Sequence, residues 1–187
     1  MIKMAGLLEA VDIEQNLRDR GVDPTKTEVI VDKQTNRATF LLYNLSGSLV
    51  GYQRYDPNQG KVRDNMGRYF TYIGSEGDYK KLAVYGTQTI EQSVPYLFLV
   101  EGIFDCIKIH NAGYPGIAVL GNNPKILKSW ISILNKKIIV ICDNDAAGNS
   151  LKKLSKINFT TPSPYKDLGE MPQQEVNKFL KDVLKKL

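Results

Sequence analysis

The chain has 187 residues, enough for one medium domain or two small, closely packed lobes, and its 42% hydrophobic content is ordinary for a globular fold. No run approaches the roughly 20 apolar residues of a membrane helix, and Met1–Gly6 shows no signal-peptide pattern, so the expectation is a cytoplasmic protein with no membrane partner. Twenty-five Lys and Arg against 20 Asp and Glu leave +5, an excess that permits a polyanionic partner without demanding one.

Residues 4–20 read as a helix, with Leu7, Leu8, Val11, Ile13 and Leu17 at helical spacing and Gly21 and Pro24 as its stop. Short β-like runs follow at 28–31, 38–43 and 49–55, separated by turn-rich segments, which predicts an antiparallel meander. Residues 61–90 read as irregular, basic and aromatic. From about Glu91 the pattern changes to alternating strand and helix: strands at 96–100, 116–120 and 137–142, helices near 104–112, 125–134 and 146–155. An extended piece near 157–165 leads to a closing helix near 172–186. The expected class is α/β, with an N-terminal α+β lobe (1–90) followed by a Rossmann-like lobe (91–187) whose mainly parallel sheet is flanked by helices.

Two apolar strands end in acids. Ile138-Ile139-Val140-Ile141-Cys142 runs into Asp143-Asn144-Asp145, and Tyr96-Leu97-Phe98-Leu99-Val100 runs into Glu101-Gly102-Ile103-Phe104-Asp105. Continuous apolar runs suit parallel strands buried on both faces, and the carboxyl ends of such strands face the ligand crevice. If the two strands are neighbours, Glu101, Asp143 and Asp145 converge. Carboxylates that close repel and raise each other's pKa unless a cation intervenes. Mg²⁺ or Mn²⁺ takes such hard oxygen ligands and suits phosphoryl transfer. Glu101 is placed as ligand or general base. Asp105 is either a partner behind the ligands or an acid favoured by the helix dipole. Cys106 and Cys142 form no Cys-x-x-Cys, which argues against structural zinc, and the single histidine, His110, excludes chemistry needing two.

Glu-Gly-x-x-Asp behind one strand and Asp-x-Asp-x-Ala-Gly behind a later one resemble the TOPRIM fold. That fold is shared by bacterial-type primases, topoisomerases, small nucleases and recombination mediators. Asp143-Asn144-Asp145-Ala146-Ala147-Gly148 resembles the primase form, and Val119-Leu120-Gly121-Asn122-Asn123 sits where primases carry a Leu-Gly turn. Lys166-Asp167-Leu168-Gly169-Glu170 resembles the Lys-Asp-x-Asn-Glu that closes this region in phage primases, with Gly169 in place of Asn. Gly60-Lys61-Val62-Arg63-Asp64 is similar to the basic segment ahead of it, flanked by Gly51–Tyr55 and Leu82–Gly86.

The resemblance spans about residues 38–170. It implies the RNA-polymerase domain of a phage-type DNA primase, making short RNA primers on single-stranded DNA from ribonucleoside triphosphates. Glu101, Asp143 and Asp145 are then the catalytic metal ligands, with Asp105 and Asp167 as further candidates. Lys61, Arg63, Arg68, Lys80, Lys81 and Lys166 would bind nucleotide or template. Tyr55, Tyr69, Phe70, Tyr72 and Tyr79, interleaved with those cations, suit a single-stranded nucleic acid, although such alternation also makes an ordinary half-exposed sheet.

No zinc-binding module and no Gly-x-x-x-x-Gly-Lys-Ser/Thr loop is present, so the expectation is a catalytic core alone. The amphipathic tail, with Val176, Phe179, Leu180, Val183, Leu184 and Leu187 on one face, reads first as a helix packed on its own lobe. Its second reading is a docking helix for a replicative helicase or another replisome protein. A metal-dependent nuclease and a non-catalytic accessory that binds nucleic acid or helicase are the alternatives. A topoisomerase is disfavoured because none of the ten tyrosines has a supporting context.

Overall fold

A computed structural model describes residues 11–44, 46–59, 67–76, 79–80, 82–120, 124–145 and 147–187. Helix α1 (Ile13–Asp19) starts where the Asp12 side chain accepts the Gln15 amide at 2.8 Å, which satisfies one open donor of the first turn. It ends at Gly21, whose φ of 81° permits Val22 N–H to reach back to Leu17 O at 2.8 Å. The helix is shorter than expected. Leu7 and Leu8 lie outside the described residues, and Val11 is 44% exposed ahead of the cap rather than on the buried stripe.

Four antiparallel strands follow in sequential order: β1 (Val29–Asp32), β2 (Arg37–Tyr43), β3 (Leu49–Tyr55) and β4 (Tyr69–Ile73). Ala38, Phe40 and Leu42 alternate inward from β2, as a sheet with one covered face requires. Strand β4 corrects the reading of 61–90 as irregular. Tyr-Phe-Thr-Tyr-Ile is rich in aromatic and β-branched residues, and pairing with β3 decides its state where local composition did not. A short ribbon, β5 (Ser75–Glu76) with β6 (Tyr79–Lys80), comes next.

The second half alternates as expected: β7 (Tyr96–Val100), α2 (Ile103–Asn111), β8 (Gly116–Ala118), α3 (Pro124–Ser132), β9 (Lys137–Cys142), β10 (Asn158–Thr160) and α4 (Gln173–Leu184). The four strands are parallel in the order β10-β9-β7-β8. The helix expected near 146–155 is present as a 3-10 helix, Ala147–Leu154. Gly148, Asn149 and Ser150 are weak α-formers, and short 3-10 pieces are common connectors.

Leu97 and Leu99 face one side of the parallel sheet, toward α3 and the 3-10 helix. Phe98 and Val100 face the other, and there the core continues through α2 and α4 into α1 and the inner face of the antiparallel sheet. Phe40 meets Tyr85 and Phe104 edge-on at 5.9 and 5.7 Å. Val84 and Tyr85 stitch the sheets together, Val84 bridging to Tyr43 and Tyr85 to Ala118. Val176, Leu180 and Val183 of α4 are buried in the same core, so the amphipathic stripe packs on its own lobe as first expected.

Phe40→Ala should cost about 3–5 kcal/mol, measured by urea unfolding, while Ile133→Ala at a 76% exposed site should stay within about 0.5 kcal/mol. A pH effect also follows from His110, whose Nε2 lies 2.9 Å from Gly116 O and whose ring stacks on Tyr85. Burial lowers its pKa, against the opposing hydrogen bond to Gly116. The unfolded chain therefore takes up this proton first as the solution is acidified. His110's contribution to stability is present above about pH 6.5 and is lost as pH falls below it. Melting profiles of wild type and His110→Gln should converge as pH drops from 7 to 5.

Candidate active site

Strands β7 and β9 are direct neighbours, with Leu99 beside Val140. Their chains therefore leave the sheet together, and Glu101 and Asp143 line one cleft of about 390 Å³. Asp105, from the first turn of α2, and Asp167, Lys166 and Glu170 of the closing motif line it as well. The opposite wall comes from the N-terminal half: Arg20, Gln53, Arg68 and Tyr69.

The closing motif is a compact, self-capped turn. Asp167 accepts the Glu170 amide at 3.0 Å, and Glu170 accepts the Lys166 amide at 3.1 Å. Asn144 N–H donates to Lys166 O at 2.7 Å, joining this turn to the Asp-x-Asp loop. Asp105 holds it from the other side. Its Oδ1 accepts Gly169 N–H at 2.7 Å and its Oδ2 accepts Gly102 N–H at 3.2 Å. Gly169 suits this close approach: a Cβ there would lie 3.1 Å from Asp167 Oδ1 and 3.4 Å from Asp105 Oδ1 and Phe104 Cβ. The departure from Asn thus coincides with a backbone packed tightly against two acids.

The electrostatics are those of crowded carboxylates. Burial first, then Asp167, Glu101 and Asp145, push Asp143 up to about 6, with Lys166 opposing. Burial, then Asp167 and Asp143, push Asp105 up to about 8, against its two backbone hydrogen bonds. An excess of hard oxygen donors that raise one another's pKa is the chemistry a divalent cation relieves, so the donor set fits such an ion.

Of the three expected ligands, Glu101 and Asp143 line the cleft, and Asp145 lies near enough to help raise Asp143. Among the described residues no three acids are grouped to hold an ion. Asp145 Oδ2 instead pairs with Lys166 Nζ at 3.3 Å. Lys166 offsets part of the crowding, acting on Asp143 and Asp167 as well as on Asp145. Lys166, a candidate for nucleotide or template binding, is thus paired with an acid of the Asp-x-Asp loop.

Arg68 lines the cleft, with its Nε donating to Gln59 O at 3.1 Å. Lys61, Arg63 and Lys81 lie outside the described residues, as does the side chain of Lys80. The expected aromatic platform is divided. Tyr55 and Tyr69 face the cleft side, 5.3 Å apart, whereas Phe70 and Tyr72 lie with Tyr52 on the other face of the sheet. Tyr79's side chain is outside the described residues.

The sequence reading missed Arg20. Its guanidinium carbon sits 3.4 Å from the Phe104 ring centroid and its Nη1 donates to Tyr69 Oη at 2.8 Å. Arg20-Gly21 was legible only as a helix end. Gln53 was also missed. It is buried at the cleft wall, with Nε2 donating to Thr71 Oγ1 at 2.8 Å.

Residues 98–172 match the Toprim-like family model. A DNA primase of Thermotoga maritima is 37% identical over 182 residues, covering 88% of this chain and 31% of its own length. The zinc-binding and RNA-polymerase domains of the Aquifex aeolicus primase superpose with a TM-score of 0.66 at 17% identity, over 97% of this chain and 57% of that one. The primase fragment of the bacteriophage T7 primase–helicase gives 0.57 at 14% identity, over 83% and 66%. The fold is that of primase catalytic cores, and the chain spans about a third of the length of the Thermotoga relative.

Gly169→Ala and Asp105→Ala should each lower stability by about 1–3 kcal/mol, since each disturbs the 2.7 Å bond that anchors the closing motif. The double variant should lose clearly less than the sum, because both changes act on that bond. Urea unfolding of the four proteins reads the coupling.

Proposed function

From the Toprim-like domain and the sequence kinship with DNA primases, we propose that this chain is a phage-type primase catalytic core that makes short RNA primers on single-stranded DNA. On this reading residues 1–90 are the N-terminal α+β lobe of the core and 91–187 the Toprim lobe with its C-terminal helix. One observation carries the reading: Glu101 and Asp143, at the ends of neighbouring parallel strands, face Arg20 and Arg68 of the other half across a single cleft. Acids for a cation on one wall and cations for phosphate on the other are what nucleotidyl transfer needs.

Glu101, Asp143 and Asp145 would hold Mg²⁺ or Mn²⁺, with Asp167 beside them. When bound, the cation offsets negative charge on the triphosphate and on the attacking and leaving oxygens. Arg20 and Arg68 hold phosphate of the nucleotide or template. Tyr69 offers a ring at the cleft, against which a base can stack. Glu101 accepts the proton of the 3′-hydroxyl as that oxygen bonds to the α-phosphorus, and the bond from the α-phosphorus to the bridging oxygen breaks to release pyrophosphate. Lys166 keeps Asp145 in place until phosphate competes for its ammonium. Asp105 positions the closing motif. The named T7 relative is a primase–helicase, and a replicative helicase in a shared cytoplasm is the partner we assign here.

Wild type incubated with single-stranded DNA, labelled ribonucleotides and Mg²⁺ or Mn²⁺ should give short oligoribonucleotides. Asp143→Ala with Asp145→Ala should give at least about a hundredfold less while melting normally. A shortened template instead of new product would identify a nuclease. No product with DNA still bound would identify an accessory.

A further inference from the structure

The segment from Pro124 to Lys156 carries seven lysines and only two acids, Asp143 and Asp145, both at the catalytic end of the sheet. Three of these lysines, Lys128, Lys136 and Lys137, gather at the far end of the parallel sheet. A groove lies there, where β9 begins and the chain enters β10. Its floor is Ile131, Ile138 and Leu154, and Lys128, Lys136 and Lys137 line it. Lys136 is engaged, its Nζ donating to the carbonyls of Glu91 and Val94 at 2.6 Å each. Among the described residues, no carboxylate forms an ion pair with Lys128 or Lys137.

On α3, outside the groove lining, Ile126 is 58% exposed and Trp130 is half-buried. An apolar floor and a lysine border point to one kind of occupant. We propose that this groove binds an acidic segment of a protein partner that carries a large apolar side chain among its carboxylates. The apolar side chain covers Ile131, Ile138 and Leu154, and the carboxylates meet Lys128 and Lys137.

Nucleic acid fits less well. Phosphates would engage the lysines but leave the apolar floor of Ile131, Ile138 and Leu154 without an apolar partner. Among the described residues no aromatic ring lines the groove to stack a base, and no arginine follows Arg68 in the sequence to grip phosphate bidentately. The groove is at the end of the sheet opposite Glu101 and Asp143, so its occupancy is independent of the chemistry proposed above.

The test uses the full chain and a fluorescein-labelled peptide of Asp and Glu with one central Leu, followed by anisotropy and by emission of Trp130, the only tryptophan. Saturable binding is expected, with a shift in Trp130 emission. Replacing the peptide's Leu by Ser should weaken binding at least tenfold. Lys128→Glu with Lys137→Glu should do the same, with the melting curve unchanged. Equal binding of the Leu and Ser peptides, or unchanged binding by the charge-reversed variant, overturns the proposal. Loss of single-stranded DNA binding by that variant, with no peptide bound by wild type, would make the surface a nucleic-acid contact instead.

Discussion

The parallel pairing of β7 with β9 is the constraint on which the site depends. Tyr96, Leu97, Phe98 and Leu99 lie beside Lys137, Ile138, Ile139 and Val140. That register makes the two chains leave the sheet at the same edge, and it brings Glu101 to Asp143 although 42 residues separate them in sequence (143 − 101). A slip of one residue would turn Leu97 and Leu99 to the wrong face as well as displacing Glu101. Burial on both faces therefore protects the site's geometry: the apolar alternation that fills two cores also fixes where the acids emerge.

The second wall of the cleft is held by a different device. Phe40, Tyr85 and Phe104 interlock edge to face, and Val84–Tyr85 bridges both sheets. Phe104 thus has two neighbours of consequence. One side is core, and the other carries the Arg20 guanidinium toward the acids. The helix that begins at Gly102 couples these arrangements, because Asp105 on its first turn ties the closing motif through Gly169. Packing between the halves and placement of the charged groups are consequences of the same few residues.

Strands β7 and β9 were legible because both are continuous apolar runs ending in acids, a local pattern with few alternatives. The closing motif was legible by resemblance, and Gly169 acquired a physical setting only when its amide was seen against Asp105. Other features were hidden for identifiable reasons. Strand β4 is set among glycines and arginines, and its state depends on pairing with β3. The Ala147–Leu154 helix had the right apolar spacing but too many weak α-formers. Arg20 looked like the end of α1, since nothing local indicates that its side chain crosses to Phe104. The pairing of Lys166 with Asp145 joins residues 21 apart (166 − 145) and belongs wholly to the tertiary fold. Charge type and acid spacing were readable, whereas the choice of which charge meets which was not.

The central claim is that the acids brought together by β7 and β9 form a divalent-cation site. Titration of the protein with Mn²⁺, followed by the loss of the free-ion signal in electron paramagnetic resonance, tests it without requiring turnover. Saturable binding by the wild type, displaced by Mg²⁺ and abolished in Asp143→Asn while the fold melts as before, is the predicted result. Binding that is equally tight in Asp143→Asn, or absent from the wild type in the presence of nucleotide and single-stranded DNA, would contradict it.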